Sequence, residues 1–170
     1  MEGKKAVSNT SSIIYLAKLD LFNLCKNMFS KILIPSEVIN EIFKKDEPEN
    51  IIVKKVMEEG FIKEIQVNDV KDFPLHEGEK AAISLCLEKN IPIFLSDDKR
   101  ARKIANSTGI EVTGMIGIIL WNLENKKIEK ENCRELLNKL IEKGYFLSNH
   151  LYYKIINFID SHIRKQKVYK

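Results

Sequence analysis

Two hydrophobic periods alternate along this chain, one of about two residues and one near 3.6, and the switches between them mark short strands and longer helices. KKAVSN, residues 4–9, is a brief apolar climb that stops at polar residues. From Ser11, the apolar positions Ile13, Leu16, Ala17, Leu21, Leu24, Cys25 and Met28 recur at helical spacing. ILIP (Ile32–Pro35) reads as a second strand, and Pro35 with Ser36 opens a helix bearing Val38, Ile39 and Ile42. A further helix follows, with Pro48 in its first turn and Gly60 as its C-terminal cap. IKEIQV (Ile62–Val67) alternates as a third strand, and HEGEKAAISLCLEKN is a strongly patterned helix. IPIFLS is nearly all apolar, as a central strand buried on both faces should be. Asp97 and Asp98 end it, a helix runs to Gly109, and EVTG is a fifth strand. Helices are predicted at about 114–125, 130–143 and 148–163.

Strands alternating with helices predict an α/β fold with a parallel sheet of about five short strands and helices on both faces. The 170 residues are expected to form a single domain, with a core over about 5–125, C-terminal helices over about 130–163 and a basic tail at 164–170.

Composition changes this picture little. The chain is 44% hydrophobic and 31% charged, with no apolar run long enough to span a membrane and no secretory h-region. Cys25, Cys86 and Cys133 lie far apart among apolar helical neighbours, which argues against disulfides or a zinc site and for a cytoplasmic protein. The net charge of +4 equals the contribution of Arg164, Lys165, Lys167 and Lys170, so the rest of the chain is neutral in sum. A basic tail can hold phosphate backbones, and it is equally a solvated terminus.

Open α/β sheets place their chemistry at the carboxyl ends of the strands. Asn9 follows the first strand, Glu41 lies on the helix after the second with Glu37 one turn before it, Glu79 opens the helix near Gly78, and Asp97 and Asp98 follow the fourth strand. Oxygen donors without His or Cys partners suit Mg²⁺ or Mn²⁺, and such a set fits metal-assisted phosphodiester hydrolysis. Each residue also has a structural role open to it. Asp97 or Asp98 serves as an N-cap, one of the two being left over; Glu79 favours the helix dipole; Glu41 is a solvated acid; Asn9 is a turn residue. His76, His150 and His162 lack metal-ligand spacing and read as capping or surface residues. Trp121 reads as core or subunit interface, and the spacing of Tyr145, Phe146, Tyr152 and Tyr153 favours packing over base stacking.

The blocks VSNTSSIIYLAKL, LIPSEVINEI, GEKAAISLCLEKN, IFLSDDKRARKIA, VTGMIGIIL and GYFLSNHLYYKII, in this order from Lys5 to Ile159, resemble the PIN-domain family and within it a prokaryotic uncharacterised PIN-like subfamily. The resemblance implies a three-layer α/β/α sandwich and a Mg²⁺- or Mn²⁺-dependent endoribonuclease, often the toxin of a toxin–antitoxin pair. It puts the four acid positions at Asn9, Glu41, Glu79 and Asp98, with Asn9, Glu79, Asp97 and Asp98 toward metal, and Thr10, Ser11, Arg100 and Arg102 toward RNA. The partners it implies are RNA, expected single-stranded, a small antitoxin and a second copy in a homodimer. The family's usual first residue is Asp; Asn9 brings an oxygen but no charge. The alternative is therefore a catalytically weakened PIN-like module that binds RNA or protein.

Overall fold

The computed structural model describes residues 3–167, with side chains described as far as Ser161. His162 and the basic tail side chains lie outside the described residues. Contacts divide the chain into two compact units, Met1–Met115 and Ile116–Lys170.

The first unit is built on β1 (Lys4–Ser8), β2 (Phe29–Pro35), β3 (Ile62–Ile65), β4 (Ile93–Leu95) and β5 (Glu111–Thr113). They form one all-parallel sheet in the order β3-β2-β1-β4-β5. Between them run α1 (Thr10–Lys18), α2 (Phe22–Met28), α3 (Ser36–Phe43), α4 (Glu49–Glu58), α5 (Glu77–Glu88) and α6 (Lys99–Ser107). Strand alternation explains the layering. Val7, Leu33 and Phe94 share a buried cluster with Ala82, Leu85 and Cys86 of α5 and Ala101 and Ala105 of α6. Ala6, Ile32, Ile34, Ile93 and Leu95, which alternate to the opposite face, are fully buried too. The sheet is therefore covered on both sides, as the expected α/β/α sandwich requires.

Several boundaries depart from the sequence reading, among them β4, which is confined to Ile93–Leu95 of IPIFLS. The helical stretch from Ser11 to Met28 is broken, because Asp20 takes φ 52° in the left-handed region between α1 and α2. Strand β2 begins at Phe29 rather than Ile32, since Phe29 finds a partner in Lys4 of β1. Strand β3 stops at Ile65 because its partner β2 stops at Pro35. Gly60 and Gly109, at φ 75° and 82°, follow α4 and α6 where the sequence placed their caps.

The second unit carries α7 (Met115–Glu124, beginning at the last residue of the first unit), α8 (Lys130–Glu142) and α9 (Asn149–Lys167). Cys133, Leu137 and Leu140 of α8 and Ile155 and Ile159 of α9 are buried, and Arg134 pairs with Asp160. The expectation that the aromatic residues here pack is corrected for two of them. Phe146 is 84% exposed and Tyr153 67%, because they fall on the outward side of the turn and of α9, while Tyr145 and Tyr152 are half-buried. All three cysteines are free and buried, and burial pushes their thiols well above the usual range. No helix among the described residues is long and apolar enough to cross a membrane.

Candidate active site

The strand order sets the position of the crevice. Strands β1 and β4 are neighbours, yet β1 connects onward to β2 on one side and β4 to β5 on the other. That switch point leaves a gap beyond the carboxyl ends of β1 and β4, and the helices leaving these ends start around it.

Asn9 stands at the end of β1 as the N-cap of α1, 2% exposed. Its Oδ1 accepts from Ser12 N at 3.1 Å, its Nδ2 donates to Ser96 Oγ at 3.1 Å, and its backbone N donates to Leu95 O at 3.4 Å. Both amide atoms thus have partners, and Oδ1 retains one lone pair. Ser96, fully buried, is the hub on the β4 side. Its Oγ also accepts from Asp98 N at 3.2 Å, its N donates to Thr113 O at 3.0 Å, and its O accepts from Arg102 Nη1 at 2.7 Å. Arg102 therefore pins the strand end with at least one of its donors.

The Asp97–Asp98 doublet does not leave one acid over from capping. Asp98 caps α6, its Oδ1 accepting from Arg100 N at 2.9 Å and Ala101 N at 2.8 Å. Asp97 Oδ2 accepts from Met115 N at 3.1 Å, the first residue of α7. A Cβ on Gly114 would collide with Asp97 Oδ1, so glycine there lets the carboxylate approach the chain. Asp98 is exposed and keeps Oδ2 free of hydrogen bonds among the described residues.

Glu41 and Glu79 complete the acid group. The Thr10 hydroxyl donates to Glu41 Oε2. The Glu41 carboxylate also lies against Gly78, where an added Cβ would meet its two oxygens at 2.7 and 2.9 Å. Glu79, in the first turn of α5, accepts the backbone N–H of His76 at 3.1 Å. Burial is the main cause that raises its pKa, Asp98's negative charge adds to it, Glu41 adds less, and His76 opposes them. Glu37, a turn before Glu41, is half-buried, with Oε2 lacking a hydrogen-bond partner.

Two recesses meet at Glu79. The smaller, about 150 Å³, is lined by Asn9, Thr10, Ser11, Glu41, His76 and Glu79. The larger, about 380 Å³, is lined by Pro74, Leu75, His76, Glu79, Asp98 and Arg100. Of the residues singled out from sequence, Asn9, Thr10, Ser11, Glu41, Glu79, Asp98 and Arg100 line this crevice, whereas Asp97 is engaged with Met115 N and Arg102 with Ser96 O. Ser96, His76, Gly78 and Gly114 also shape the site, beyond what the sequence pattern predicts. The only sequence signal for His76 and Gly78 was their place at the start of the helix that carries Glu79.

The donor set is oxygen-rich and acidic, which suits a hard divalent cation. Among the described residues no three His, Cys, Asp or Glu side chains close on one point. The fit is therefore to an ion that takes one or two carboxylates and fills its remaining positions with water, as Mg²⁺ does. Among the described residues no lysine or arginine ion pair neutralises Glu41, Glu79 or Asp98.

The family model DUF3368, described as a PIN domain, matches residues 5–161. The chain belongs to the PIN-domain family, and its fold is of the nuclease type. No curated protein sequence matches it significantly.

Proposed function

We propose that the crevice at the ends of β1 and β4 is the active site of a Mg²⁺- or Mn²⁺-dependent endoribonuclease. The observation that carries this reading is Glu79 at the junction of two recesses that also hold Asp98 and Glu41, its pKa raised first by burial and then by the charge of Asp98 and, less, of Glu41. Like charges gathered with no lysine or arginine ion pair among the described residues favour either a proton or a metal ion, and a metal ion also offsets the charge of a phosphodiester substrate. Glu79 and Asp98 would hold the ion. It supplies positive charge that polarises water and phosphate oxygens. Glu41, oriented by Thr10, positions the attacking water through the oxygen that Thr10 leaves free. Arg100, exposed beside Glu79 and Asp98, pairs with a phosphate oxygen, and the Ser11 hydroxyl is in reach of the sugar–phosphate chain in the smaller recess. Asn9 assists by fixing the geometry and offers at most one lone pair, and Asp97 is a supporting acid behind the site.

The test is cleavage of a mixed single-stranded RNA pool across a Mg²⁺ and Mn²⁺ titration, with Glu79→Gln and Asp98→Asn alongside. Metal-dependent cleavage lost in both folded variants supports the assignment. Equal cleavage by wild type and both variants overturns it.

One observation favours a second reading, a non-catalytic module that binds RNA or protein: the first acid position holds a neutral amide whose two polar atoms already have partners. Folded protein that binds RNA but cleaves none with either metal would select it. A toxin role with a small antitoxin, cytoplasmic placement and homodimerisation extend the first reading. A short open reading frame beside the gene and sedimentation of the purified chain test the toxin role and the dimer.

A further inference from the structure

We infer that the larger recess is a nucleobase subsite, taking the unstacked base of one nucleotide next to the phosphate handled at Glu79 and Asp98. The inference rests on the ribonuclease reading above and adds the groups that recognise the base. At about 380 Å³ the recess lies at the small end of single-ligand pockets, and it adjoins the smaller recess through His76 and Glu79. Its lining is divided chemically. Pro74 and Leu75 present apolar surface, His76 an imidazole and Arg100 a planar guanidinium that stacks on the base with its face while its edge pairs with the adjoining phosphate.

The apolar wall is held in place before any ligand arrives. The segment between β3 and α5 is strapped along α5 at several points. Asn68 donates from N and Nδ2 to Glu88 at 2.9 and 2.7 Å, Lys71 N donates to Ser84 Oγ at 2.8 Å, and Lys80 pairs with Asp72 at 3.3 Å. Phe73 and Leu75 pack against the buried cluster of α5 and β4, and Leu75 N donates to Phe73 O at 2.8 Å. A wall ordered in advance adds little ordering cost to binding. A base lifted from its stack, as single-stranded RNA readily offers, suits an apolar face beside a guanidinium.

The test measures binding without divalent cation, so that no strand is cut. A short single-stranded RNA is scanned with one abasic nucleotide at each position, and affinity is read by fluorescence anisotropy. A base subsite predicts one position where the abasic nucleotide weakens binding about tenfold. That penalty should shrink in Leu75→Ala and in Arg100→Ala, the second being an exposed residue whose loss spares the fold. Equal tolerance of the abasic nucleotide at every position overturns the subsite alone, as does a penalty unchanged in both variants. Folded wild type that binds no RNA under these conditions overturns the subsite, whereas the ribonuclease reading stands or falls on the metal-dependent cleavage test.

Discussion

Asn9 Nδ2 donates to Ser96 Oγ over 3.1 Å, and this bond joins the end of β1 to the end of β4 where the strand order reverses. Because Asn9 Oδ1 caps α1 at the same time, one buried side chain sets both the start of a helix and the width of the crevice. The amide is suited to this double task, since it donates to one neighbour and accepts from the other.

Replacing Asn9 with Ala strands the Ser12 N–H and removes a partner of Ser96. A loss of about 1–3 kcal/mol in unfolding free energy is expected, measured by urea denaturation.

Asn9→Asp keeps the cap and adds a fourth charge to Glu41, Glu79 and Asp98. Divalent-cation affinity should rise about tenfold by titration calorimetry, with lower stability in the metal-free protein. An unchanged affinity would mean that the ion, if bound, stays away from position 9.

Gly78→Ala presses a Cβ onto the Glu41 oxygens, which swing away because they end a flexible side chain. Unfolding free energy should change by less than about 1 kcal/mol, since alanine suits a helix. RNA cleavage should fall about tenfold or more, as misplaced groups near reacting atoms do.

Glu79 has a raised folded-state pKa, so its proton stabilises the fold at low pH, and that contribution is lost as pH rises through the folded value. Glu79→Gln should therefore stabilise the metal-free protein at pH about 7 relative to wild type. The advantage should vanish in acid below the ordinary glutamate value of 4.5. Thermal melts at both pH values check the sign.

Asp97→Ala removes the acceptor at Met115 N and should cost about 1 kcal/mol while leaving most RNA cleavage intact. Loss of cleavage as complete as in Asp98→Asn would instead make Asp97 a ligand.

Much of the fold was legible from local patterning. Five strands in the right order along the chain, the caps at Gly60 and Gly109, and the placement of acids at strand ends all follow from periodicity and turn chemistry. The break at Asp20 was not, because the apolar spacing continues through it and a left-handed residue leaves no periodic trace. The true ends of β2 and β3 were also hidden, because a strand extends only as far as its neighbour pairs with it.

For the site, the sequence by itself determined which side chains are available: Asn9, Glu79, Asp97, Asp98 and Arg100 on strand ends and first helical turns, and Glu41 one turn further along α3. Only the tertiary structure decided what each is occupied with. Asn9 meets Ser96, Thr10 meets Glu41, and Asp97 meets Met115 through pairings between distant segments. The physical reason is that capping and strand-end position are local properties, whereas a hydrogen-bond partner across a parallel sheet depends on strand order, which no local pattern encodes.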